Sequence, residues 1–253
     1  MQFAQIKQKL KGIPFISEDN AQLLYDLIIK EKLTNILELG IAHGTATCYM
    51  AAALDELGQG EITAVDLLEA KEKFCPSAEE QLIKTNLQNY ARVIREQTGY
   101  TWFLHNEIRQ CTTNNVCQPK YDLCIIDGPK NWTIDGCAFF LADKLLKEGG
   151  WIIFDDYKWT YANADRKRAT TDGITHRQLS EEEFKTPQIK EVFELLVMQH
   201  PSYSDFVVQN SGDWAWARKS ASTDKTFTLQ YRETYRDSIT SIKHRVKKLL
   251  KHS

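Results

Sequence analysis

Asn35-Ile-Leu-Glu-Leu-Gly40-Ile-Ala-His-Gly44 is the stretch on which the fold turns. Its apolar start reads as a short buried strand, ended by Gly40. Thr45 to Leu57 is Ala-rich and helical, and Glu61-Ile-Thr-Ala-Val-Asp66 is a second strand that closes on a carboxylate. Strand, glycine turn, helix and strand make a βαβ unit. A glycine turn at that junction lets a ligand approach the backbone, where the first helical N–H groups point at it. The turn reads Glu38-x-Gly40-x-x-x-Gly44. It therefore lacks the Gly-x-Gly-x-x-Gly spacing of dinucleotide sites and the Gly-Lys-Ser/Thr ending of phosphate loops. Asp66, 22 residues beyond Gly44, can accept both hydroxyls of a ribose from its strand end.

Outward from this unit the alternation continues. Ser17 to Leu33 has helical apolar spacing, with Ser17 as N-cap. A long polar helix is expected from Ser77 to Gln97, then a strand at Tyr100–Leu104. Tyr121-Asp-Leu-Cys-Ile-Ile-Asp127 is apolar on both faces, as in the middle of a parallel sheet. Ile134 to Leu146 reads as a helix stopped by Gly149-Gly150, followed by a strand at Trp151–Asp155. Pro187 to Gln199 is helical, and two last strands flank the turn at Asn210-Ser-Gly212-Asp. The expected fold is α/β, a doubly wound and mostly parallel seven-stranded Rossmann-like sheet with an antiparallel C-terminal hairpin.

The 253 residues suit one such domain, expected over 1–219, with an extension over 220–253. A formal net charge of -2 gives no global attraction to nucleic acid or anionic membrane. The start, Met1-Gln-Phe-Ala-Gln-Ile-Lys7, has no signal-peptide apolar core, and no run approaches the roughly 20 apolar residues of a membrane span. The sequence reads as cytoplasmic, and its six cysteines, none in a Cys-x-x-Cys pair, as reduced.

Ile36-Leu-Glu-Leu-Gly-Ile-Ala-His-Gly44 resembles motif I of class I S-adenosylmethionine-dependent methyltransferases, and Ile62-Thr-Ala-Val-Asp66 resembles their second motif. Ile16-Ser-Glu-Asp-Asn-Ala-Gln-Leu-Leu24 is similar to the lead-in helix of small-molecule O-methyltransferases. The resemblance implies S-adenosyl-L-methionine as cofactor, held by Glu38, Gly40, Ala42, Gly44, Thr45, Asp66 and Asp127. Relatives place a serine after the second glycine, against the methionine carboxylate. Thr45-Ala46 stands there instead, which hands the contact to Thr45 or Thr47. Past the expected third strand, His105-Asn-Glu107 occupies the place of the relatives' Gly-Asp-Ser/Ala.

Two further strand ends carry acids, Asp127-Gly-Pro-Lys130 and Asp155-Asp156. Parallel strands deliver their C-terminal ends to one rim, so Asp127, Asp155 and Asp156 can converge. Three carboxylates in one cleft repel, and a hard divalent cation such as Mg²⁺ relieves them. Such a cation would hold a substrate hydroxyl and lower its pKa. Lys130, beside Asp127 and a cation, can serve as general base. The same residues also suit a plain Asp-Gly turn, a capping pair and a surface lysine.

Asp127-x-x-Lys130 and Gly149-Gly-x-x-x-x-Asp155-Asp156 resemble the metal and base motifs of catechol and caffeoyl-CoA O-methyltransferases. The Asp155-Asp-Tyr157 ending is similar to macrocin-type sugar O-methyltransferases, in which an acid matching Asp127 competes for the base role. Trp132, Tyr157, Trp159 and Tyr161 follow the acids and can frame a ring. Arg166-Lys-Arg168 can meet an anionic substrate or form a solvated run.

In the extension Tyr235, Ile239, Ile242, Val246 and Leu249 form a heptad seam. Residues 231–252 carry seven Lys/Arg against Glu233 and Asp237, a net +5. Such a helix can dock on its own domain, pair with a second copy as a homodimer, or lie on a membrane. The expected function is S-adenosylmethionine-dependent O-methylation of a small molecule, sugar or catechol-like, aided by metal. The alternatives are a metal-independent methyltransferase on another acceptor and a non-catalytic cofactor-binding scaffold. Nucleic acid is not an expected partner, because the Asn/Asp-Pro-Pro-Tyr motif is absent.

Overall fold

A computed structural model describes residues 1–163 and 179–220, with the backbone of a strand pair at Thr170–Thr171 and Ile174–Thr175. The Arg166-Lys-Arg168 run and the C-terminal seam lie outside the described residues. Met1–Ala221 forms one compact unit.

Its centre is a seven-stranded sheet built from β1 (Asn35–Leu39), β2 (Glu61–Leu67), β3 (Ala91–Glu96), β4 (Tyr121–Ile126), β5 (Leu146–Phe154), β6 (Tyr203–Val208) and β7 (Ala215–Lys219). The spatial order is β6-β7-β5-β4-β1-β2-β3. β1 to β5 run parallel to one another, and β7, antiparallel to β5, and β6, antiparallel to β7, close one edge. The C-terminal ends of β1, β2, β4 and β5 therefore open on one rim, where open α/β sheets bind ligands. One face packs on α2 (Glu18–Glu31) and α3 (Thr45–Leu57), the other on α5 (Tyr100–Gln110) and α6 (Trp132–Leu145).

Local chemistry explains the elements nearest the rim. Ser17 Oγ accepts from the Asn20 N–H at 3.2 Å and starts α2, as the sequence predicts. α3 starts after Gly44 and ends at Gly58, both left-handed (φ 70° and 72°), and its Ala51–Ala52–Ala53 run is fully buried. β4 sits mid-sheet with both faces covered, as its continuous apolar pattern requires.

Three expectations are corrected. The helix expected from Ser77 to Gln97 ends at Thr85; α4 (Ala78–Thr85) has a Ser77/Glu80 capping box and stops at Asn86 in the left-handed region (φ 62°). Ala91–Glu96 is then the third strand; it pairs on one side only, at the sheet edge, and is mostly half-buried. Tyr100–Leu104 is helical, because Tyr100, Phe103, Leu104 and Glu107 bury one face at helix spacing. Nor do Gly149 and Gly150 stop a helix. They lie inside β5, beside the register shift in its pairing with β4, and Gly149 is left-handed (φ 77°).

Candidate active site

The rim holds a cleft of about 1310 Å³. Glu38, Gly40, Ala42, Asp66, Asp127, Lys130, Asp155 and Asp156 all line it. Gly44 and Thr45 do not. A Cβ on Gly44 would lie 2.5 Å from that of Ala78, and the Thr45 hydroxyl donates to the Pro14 carbonyl at 2.9 Å. Thr47 is committed too, donating to Glu38 Oε2 at 2.6 Å, and Ala46 is the residue of that stretch that reaches the cleft.

The glycine turn is clamped from both sides. The Gly40 N–H donates to the Val65 carbonyl and the Asp127 N–H to the Leu39 carbonyl, each at 2.8 Å. Asp66 Oδ2 accepts from the N–H groups of Ile41 (3.0 Å) and Ala42 (2.9 Å), while Oδ1 accepts from Leu67 at 2.7 Å. Arg95, its cross-strand partner on β3, lies 4.0 Å from the same carboxylate and grips Glu79 with a two-point fork. Asp66 thus shapes the turn as well as facing the cleft.

Glu38 is 2% exposed, and burial pushes its carboxyl up to about 8, helped by the charges of Asp127 and Asp66 and opposed by the Thr47 hydroxyl.

Asp127, Asp155 and Asp156 bring carboxylate oxygens within 4.8 Å of one another. Lys130 Nζ lies 2.9 Å from Asp127 Oδ1 and 3.3 Å from Asp156 Oδ2. Desolvation raises both Asp127 and Asp155; Lys130 opposes this at each, and Asp155 is raised further by its two acidic neighbours. Lys130 and Asp156 both have left-handed backbones (φ 59°), a cost met where function fixes the conformation. Below the loop, Asp135 accepts from the Asn131 N–H (2.6 Å) and the Tyr100 hydroxyl, and the Asn131 side chain caps α6. These contacts hold the strained loop in place.

Of the four aromatics expected to frame the acceptor, Trp159 lines the cleft. Tyr161 is buried and donates to the Pro129 carbonyl at 2.6 Å, Tyr157 is buried and donates to Glu194, and Trp132 is half-exposed away from the lining. Gln97, Thr98 and Gly99, not His105-Asn-Glu107, follow the true third strand and line the cleft there. The Gly after an acidic strand end was the available signal. Asn20 and Trp214 line the cleft as well, and nothing local marks them.

A sequence-family model described as a methyltransferase domain matches residues 37–157, from β1 through the acidic pair. No curated protein sequence matches the chain significantly. Solved structures do. A Staphylococcus aureus protein assigned as a caffeoyl-CoA O-methyltransferase has a TM-score of 0.60 at 20% identity, covering 87% of this chain and 93% of that one. The Bacillus cereus O-methyltransferase in complex with SAH gives 0.57 at 19%, covering 87% and 92%. The Streptomyces achromogenes O-methyltransferase TomG, involved in tomaymycin synthesis and solved with SAM, gives 0.56 at 14%, covering 86% and 89%. At such identities these structures speak for the fold. The match over residues 37–157 and the shared fold make the chain similar to the S-adenosylmethionine-dependent methyltransferases.

Proposed function

We propose that the protein methylates a hydroxyl of a small molecule, sugar or catechol-like, with a divalent cation such as Mg²⁺ at Asp127, Asp155 and Asp156. The observation that carries this reading is the acidic cluster with Lys130, set on the same rim as the glycine turn. The cluster fits a hard cation, since its donors are three carboxylates, and burial together with their mutual repulsion raises Asp155 well above its ordinary range.

When bound, S-adenosylmethionine supplies a methyl group on a sulfonium, open to in-line displacement; a bound divalent cation supplies charge that lowers the pKa of a coordinated hydroxyl. The chain's own residues do the rest. Glu38, Gly40, Ala42 and Asp66 hold the cofactor side, with Gln97, Thr98 and Gly99 beyond β3. Lys130 Nζ takes the acceptor's hydroxyl proton, and Asp127 is the competing base. Trp159 offers a flat face for the acceptor ring. A fixed cleft wall supplies proximity, which is most of what methyl transfer needs.

A metal-independent transfer is the second reading, favoured by Lys130 sitting between Asp127 and Asp156 as a built-in cation. One experiment separates the two. S-adenosylhomocysteine is titrated calorimetrically, then methyl transfer to a catechol and sugar panel is assayed with Mg²⁺ or EDTA, in wild type and Asp155→Ala. Saturable binding with activity lost in EDTA and in Asp155→Ala is the expected result. Equal activity in all samples rejects the metal, and no binding by folded protein rejects the cofactor site.

A further inference from the structure

The tip of the β6–β7 hairpin is tied to the acidic loop. The N–H groups of Tyr157 and Lys158 donate to the carbonyls of Asp213 and Gly212, each at 2.9 Å. Gly212 packs so closely on the Lys158 side chain that a Cβ would lie 2.2 Å from its Cδ. Within the tip, the Trp214 N–H donates to Gln209 Oε1 at 3.2 Å, and the Gln209 amide in turn donates to Asn20 Oδ1 on α2 at 2.7 Å. Trp214 is therefore held from three directions and is 4% exposed. Its one polar side-chain atom, Nε1, donates to Asp155 Oδ1 at 2.6 Å.

A carboxylate without such a donor can rotate about its Cβ–Cγ bond, and a rotated carboxylate is spoiled as a ligand. An N–H donor fixed by packing removes that freedom, as outer-shell partners of metal ligands do. We propose that Trp214 is a positioning residue: its indole N–H fixes the orientation of the Asp155 carboxylate toward a divalent cation. This rests on the metal reading proposed above. The indole ring also closes the cleft wall, so one side chain combines an apolar surface with one directed donor.

The test is a Mn²⁺ titration of the full chain, following free Mn²⁺ by electron paramagnetic resonance, in wild type and Trp214→Phe. Phenylalanine keeps an aromatic ring and loses the donor. The expected result is Mn²⁺ affinity weakened by about 10-fold or more, with S-adenosylhomocysteine affinity unchanged. Unchanged Mn²⁺ affinity in Trp214→Phe, where wild type binds, overturns the positioning role alone. A wild type that binds S-adenosylhomocysteine but not Mn²⁺ overturns the metal reading and this inference with it. If Trp214→Phe loses S-adenosylhomocysteine binding too, 3-benzothienylalanine at position 214 decides by the same criterion, since it keeps the bicyclic shape and replaces only the N–H.

Discussion

Gly40 and Asp127 meet backbone to backbone: a Cβ on Gly40 would lie 2.0 Å from the Asp127 carbonyl oxygen. The residue that opens the glycine turn and the residue that opens the acidic cluster are thus neighbours across β1 and β4. No side chain fits between them. The glycine turn and the acidic cluster share one piece of wall, and the spacing between them is set by adjacent strand ends.

Gly40→Ala should therefore fail for two reasons, the contact itself and a φ of +90° that an L side chain disfavours. The loss of stability should be on the order of 1–3 kcal/mol, as for overpacked cores. Thermal unfolding and S-adenosylhomocysteine titration check this. A variant that melts and binds like wild type refutes it.

Asp66→Asn keeps the shape but turns an acceptor-only group into one with a donor edge. Asp66 accepts three backbone N–H bonds, two of them through the oxygen that shapes the turn. Asparagine must point its amide at one of these N–H sets and leave it unpaired, at about 1–3 kcal/mol. S-adenosylhomocysteine affinity should fall by roughly 10-fold or more in calorimetry. Unaltered affinity would mean that neither the turn nor the ribose depends on this carboxylate.

The central βαβ unit was legible because each of its signals is local: an apolar run, a glycine, an Ala-rich helix and an acid on the next strand. The convergence of Asp127, Asp155 and Asp156 was also legible, since parallel strands end on one rim. The third strand was not. Ala91-Arg-Val-Ile-Arg-Glu96 sits at the sheet edge, half-buried and interleaved with two arginines, of which Arg95 answers Asp66 and Glu79. Trp214 was invisible for the same reason. Its partner Asp155 is 59 residues away, and only the hairpin's docking brings them together.

Glu38 gives the fold a pH signature. Its carboxyl is raised from 4.5 to about 8 by burial, so the folded state holds a proton that the unfolded chain releases above about 4.5. A raised acid costs stability as pH climbs through that window, by at most about 1.4 kcal/mol per pH unit. Wild type should lose more melting temperature between pH 5 and about 8 than Glu38→Gln, whose amide oxygen can still accept from Thr47. Parallel pH profiles of the two proteins would show that Glu38 stays charged in the fold.

Two duties are separable at Lys130: balancing the charge of Asp127 and Asp156, which its ion pairs show, and accepting a proton, which is proposed above. Lys130→Arg keeps the first and removes the second, because a guanidinium does not deprotonate in proteins. Lys130→Met removes both. If Lys130 is the base, methyl transfer to a responsive acceptor should fall by about 10²–10⁴-fold in both variants, with S-adenosylhomocysteine affinity kept within a few-fold. A pH–rate profile adds a second readout, since the limb that belongs to the lysine should vanish from each. If Lys130→Arg instead restores most of the rate that Lys130→Met loses, the lysine acts as a cation. The proton then goes to Asp127, whose carboxylate lies 2.9 Å from the same amine.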